Sequence, residues 1–133
     1  MADPTAAESL KLAREHLARA QAAAVDEVDW TDLATYGFYC LEAAVVAAAI
    51  HTESELVRSH QGKAEAAKEL ARKYKIPDVS ELLGDLNEAR KAYCYGGVEA
   101  PDHLAAEEVS ADLEALVSAV EQLLKTRKVR KRK

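Results

Sequence analysis

Residues 33–50 read LATYGFYCLEAAVVAAAI, a run apolar around most of a helical circumference. Such a run is either a helix buried on all sides or a membrane span, and its length permits both. Alanine is only weakly hydrophobic, and Glu42 stands in the middle of the run, where a carboxylate is costly in lipid. The stretch is therefore expected to be the central helix of a soluble bundle, with no membrane as partner.

The segments on either side supply the rest of the bundle. Asp29 or Thr31 can cap this helix at its start. Before it, a first helix is expected from near Thr5, with Glu8 in capping-box position and Leu10, Ala13, Leu17, Ala20 and Ala24 on one stripe. After the polar residues 51–58, Ser59 can cap a third helix through Ala64, Ala67, Leu70, Ala71 and Tyr74, which stops before Pro77. Asp78 or Ser80 opens a fourth, with Leu82, Leu83, Leu86, Ala89 and Tyr93 at helical spacing and a stop at Gly96-Gly97. Beyond Pro101 a last helix carries Leu104, Val109, Leu113, Leu116, Val117, Val120, Leu123 and Leu124. Short connections favour antiparallel neighbours, so the fold class is all-α: an up-and-down bundle of four to five antiparallel helices.

Composition agrees. A chain of 133 residues suits one domain, and its 49% hydrophobic content includes only 5% aromatics, so alanine carries much of the core and little is available to build a sheet. Cys40 and Cys94 sit in apolar runs without metal-ligand spacing, which fits a reducing, cytoplasmic setting, and residues 1–7 do not resemble a signal peptide. Charge is uneven: seven of the 18 basic residues fall within 125–133, leaving 11 against 23 acidic residues elsewhere. The expected organisation is a bundle over 1–124 and a disordered basic tail over 125–133, which can act as a solubilising end or as a nucleic-acid contact.

No nucleophile–base pattern, phosphate loop or metal spacing is present: His16, His51, His60 and His103 are scattered, and Gly96-Gly97 follows a helix where a phosphate loop would precede one. No metal or other cofactor is expected. What stands out is a polar cluster closing the fourth helix, made of Asn87, Glu88, Arg90, Lys91, Tyr93 and Tyr95. Arg90 lies in line with Leu83, Leu86 and Cys94, so it borders the apolar face. It either pairs across the bundle with Glu42 or snorkels along the seam to water. Tyr95 falls about 140° round the helix from Arg90. The two meet on one ligand only if the helix frays at the glycines or a second subunit supplies one of them, which points to a homodimer.

The order of these features resembles the HEPN family. The opening helix (AESLKLAREHLARAQ), the Trp-led central helix (DWTDLATYGFYCLEAAVVAAA), SHQGK and the Arg-centred segment LNEARKAYCYGG follow the family's arrangement over roughly residues 6–125. Ser59-His60-Gln61-Gly62 is similar to the family's Ser-His-x-Gly. Arg90 matches the arginine that precedes a histidine by several residues, but the position of that histidine is held by Tyr95, with Cys94 and Tyr93 replacing the Asp and Ala of a second family pattern. The resemblance implies a helical bundle that dimerises, binds RNA or a nucleotide, and often accompanies a nucleotidyltransferase in a toxin–antitoxin or defence system. In its catalytic relatives the arginine holds the scissile phosphate and the histidine assists 2′-OH attack without a metal. A tyrosine is a donor and stacking surface and a weak general base, so whether the chain is an enzyme is open. Arg90 and Tyr95 are the expected catalytic pair if it cleaves RNA, and Arg90, Lys91, Tyr93, Tyr95, Glu42 and His60 the expected binding residues.

Overall fold

The computed structural model describes residues 4–126 apart from 98 and 102. Among these it contains five α-helices and no strand: α1 (Pro4–Ala23), α2 (Trp30–His51), α3 (His60–Tyr74), α4 (Ser80–Cys94) and α5 (Ala106–Lys125). The expectation of a disordered tail falls mainly on residues 127–133, which lie outside the described residues, while Lys125 is the last residue of α5.

Local chemistry accounts for most of the helix ends. Asp29 accepts the Asp32 amide at 3.1 Å and so caps α2, and the Ser59 hydroxyl accepts the Gly62 amide at 2.9 Å to cap α3. At α4 the two expected residues act together: Asp78 Oδ1 receives the Ser80 amide at 2.9 Å and its hydroxyl at 2.7 Å, while Val79 occupies the cap position itself. Two expectations need correction. α1 begins near Thr5 as expected, but at Pro4, so Thr5 lies inside the first turn and is not the N-cap; a proline is well placed there because its missing N–H would have no helical partner. α5 begins at Ala106, and Leu104 reaches the core from the preceding connection.

The core is built around α2, which packs against the four other helices. All residues from Leu41 to Ala49 are buried, and 78% of the helix's most apolar 18-residue window is enclosed by protein, the arrangement expected of a bundle's central helix. Fully buried Ala13 and Ala20 on α1 allow that helix to lie close along α2. Gly37 does the same on the other side: a Cβ there would stand 3.2 Å from Leu86 Cδ1 of α4 and 3.4 Å from Leu113 Cδ1 of α5. Fixing α4 at the level of Gly37 also fixes which turn of α2 its polar end can reach.

Candidate functional site

One side of α2 is not closed over. Tyr36 is half-buried, Tyr39 keeps 37% of its surface, and Glu42, Ala43 and Val46 follow at helical spacing, each with a little surface left. Tyr39, Glu42, Ala43 and Val46 floor a groove walled by Ser9, Leu12 and His16 of α1 on one side and by Arg58 and Lys63, at the entry to α3, on the other. Its cavity measures about 270 Å3.

Cations and aromatic rings alternate along and beside this groove. The Arg19 guanidinium lies 5.3 Å from the centre of the Tyr36 ring, which stacks on His16 at 5.9 Å, and His16 meets Tyr39 at 5.6 Å. Arg90 of α4 then sits 5.9 Å from Tyr39 and 5.0 Å from Phe38, whose ring makes an edge contact with His60 at 5.0 Å. Aromatic faces attract guanidinium groups, so the stack holds Arg19 and Arg90 in place without neutralising them. Burial pulls the His16 imidazole below its ordinary 6.5, with Glu15 opposing and the Arg19 charge assisting, so His16 serves as a neutral ring in the stack.

Arg90 and Glu42 do not pair, contrary to one sequence expectation. Glu42, whose side chain is only 9% exposed, takes His60 Nδ1 at 2.6 Å on Oε2 and Lys63 Nζ at 3.5 Å on Oε1. Arg90 instead donates from Nη2 to Asn87 Oδ1 at 2.7 Å, its Nε is buried with no acceptor, and among the described residues no carboxylate pairs with it. The reason is the level of the crossing: α4 meets α2 at Gly37 and Phe38, one turn before Glu42, and the start of α3 reaches Glu42 first. Nor does Arg90 merely snorkel, since its guanidinium lies over rings.

The other expected site residues are spread along the end of α4. Lys91 is exposed. Tyr93 turns away from Arg90: its hydroxyl donates to the Glu99 carbonyl at 2.8 Å and so ties down the connection to α5, and burial pushes this phenol above its ordinary value. Tyr95 is 90% exposed and, among the described residues, has neither a hydrogen bond nor a ring contact with Arg90. The structure therefore gathers Arg90, Glu42 and His60 on neighbouring turns and leaves Tyr93 and Tyr95 apart from them. It adds residues that the sequence reading passed over: Phe38 and Tyr39, with His16, Arg19, Tyr36, Arg58 and Lys63. The available signal was the three-residue spacing of Tyr36, Tyr39 and Glu42, which places polar-ended side chains on one line of an otherwise apolar helix.

Outside the groove, the only two cysteines are free. Cys94 is exposed, and Cys40 is buried with its thiol pushed up to about 12, mainly by burial and secondarily by the Glu114 charge. No group of three or more His, Cys, Asp or Glu residues suited to holding a metal occurs among the described residues. No family model matches this chain, and neither does any curated protein or solved structure.

Proposed function

We propose that this chain is a HEPN-like protein that binds RNA or a nucleotide through the groove along α2 and acts as a homodimer. The observation that carries the reading is Arg90: a half-buried guanidinium held on Phe38 and Tyr39, without an acidic partner among the described residues, beside rings of the kind on which bases stack. Guanidinium donors suit phosphate oxygens, and aromatic side chains provide sequence-tolerant platforms for unpaired bases. Arg58 and Lys63 extend the positive charge along the same groove. The homodimer, a toxin–antitoxin or defence setting and a nucleotidyltransferase partner rest on the family resemblance. Tyr95 enters this scheme as a residue offered to the Arg90 of a second copy.

The test is binding of a labelled single-stranded RNA by fluorescence anisotropy, with Arg90→Ala as the variant. Loss of one charge-assisted contact is worth about 1.5–3 kcal/mol, so affinity should fall by roughly tenfold or more. Wild-type protein with no affinity for RNA or mononucleotides would overturn the reading.

The short contact between His60 Nδ1 and Glu42 supports a second reading, metal-independent cleavage. With Nδ1–H held by the carboxylate, Nε2 is the ring atom left to take a proton. In such a step a ribose 2′-OH gives its proton to Nε2 and its oxygen bonds to the adjacent phosphorus. The bond from phosphorus to the 5′-oxygen breaks, that oxygen takes a proton from water, and a 2′,3′-cyclic phosphate remains. Arg90 would steady the phosphate charge. Cleavage in EDTA that survives Tyr95→Phe but is lost in His60→Ala is the expected signature; intact RNA after long incubation with wild type removes this reading and leaves binding.

A further inference from the structure

We propose that the cavity beside Tyr39 is a nucleobase subsite that selects guanine, with Glu42 and Lys63 reading the edge of the base; the inference rests on the RNA-binding reading above. Its size sets the class of ligand. At about 270 Å3 the cavity lies just below the ~300–1,000 Å3 of clefts that enclose whole drug-sized molecules, so it has room for one heterocycle while the attached sugar and phosphate stay outside. Its lining combines apolar surface, on Leu12, Ala43, Val46 and Tyr39, with polar groups on Ser9, His16, Glu42, Arg58 and Lys63.

Glu42 and Lys63, which lie side by side, set the hydrogen-bonding pattern. An ionised carboxylate only accepts and an ammonium only donates. Glu42 Oε2 is occupied by His60, but Oε1 has only the long 3.5 Å contact with Lys63, which leaves lone pairs for a ligand. Guanine is the base whose pairing edge offers two adjacent N–H donors, N1–H and the N2 amino group, next to the carbonyl O6. The two donors suit the carboxylate and O6 suits the ammonium. Uracil has a single N–H on that edge, cytosine has the acceptor N3 where guanine has the donor N1–H, and adenine has no carbonyl. The Tyr39 ring also lies 5.9 Å from Arg90, so a base held beside it is next to the guanidinium that the proposed function assigns to phosphate.

The experiment compares hexamers by fluorescence anisotropy: all-uridine RNA, the same chain with one central guanosine, and the same chain with inosine in that place, which lacks the N2 amino group. Against wild-type protein the guanosine hexamer should bind at least about tenfold more tightly than the uridine one, with inosine between them. Glu42→Gln should bring the affinity ratio of the guanosine to the uridine hexamer close to one, whatever it does to the affinity for uridine RNA itself. Equal affinity of wild type for all three overturns the subsite while leaving RNA binding intact, and failure of every hexamer to bind overturns both. Because the three-ligand comparison uses wild-type protein, it decides the matter whether or not the variant folds.

Discussion

His16 is the groove residue whose protonation is most altered by its surroundings. Wedged between Tyr36 and Tyr39, with Arg19 over the next ring, it has a pKa below 6.5 because burial and a neighbouring cation disfavour the imidazolium. On acidification the unfolded chain therefore takes up this proton before the folded one does. The stabilisation is complete above 6.5 and is lost as the pH falls through the folded value. Part of the ring is open to water, which keeps the effect small. Melting curves between pH 7.5 and pH 5 should show a steeper decline for wild type than for His16→Gln, the gap opening only below about 6.5. Parallel curves would mean that His16 carries the same pKa folded and unfolded.

At the scale of elements, the entry to α3 depends on Gly62. A Cβ there would collide with the Val57 carbonyl oxygen and lie 2.6 Å from Val57 Cβ, backbone-bound atoms that cannot swing aside. Gly62→Ala should cost about 1–3 kcal/mol in urea unfolding, whereas Gly84→Ala, where an added Cβ meets nothing within 4 Å, should gain up to about 1 kcal/mol as a helix-favouring change. Equal effects of the two would show that the 53–58 connection yields. The caps at Asp29 and Ser59 were legible in the sequence because a cap is a contact over three residues. The start of α5 was not, since Leu104 is apolar for the core and not for a helix. The half-burial of Arg90 was legible from its place on the wheel, but its partner was not. Which turn of α2 it meets depends on Gly37 admitting Leu86, a register between helices that no single helix encodes. The stack of His16 between two tyrosines was hidden for the same reason, since it needs α1 and α2 in their final alignment.

For the molecule as a whole, a net charge of −5 opposes RNA binding unless charge is segregated, and the surface is divided in that way. Arg19, Arg58, Lys63 and Arg90 attend the groove along α2, whereas Glu53, Glu55, Glu65 and Glu69 line a separate cleft between the α2–α3 connection and α3. Residues 127–133 hold six further basic residues and no acidic one. On the RNA-binding reading proposed above, groove and tail should contribute differently. Each phosphate neutralised on a single strand adds about 0.7 to the slope of log affinity against log salt, so removing residues 127–133 should flatten that slope by up to about 4 without changing the preference among hexamers. Arg90→Ala should instead lower affinity at every salt concentration and change the slope by no more than about 0.7. An unchanged slope after the deletion would assign the tail no phosphate contact and leave the groove as the whole electrostatic footprint. A deletion that erased base preference would mean that the tail, and not the pairing edge at Glu42 and Lys63, reads the RNA.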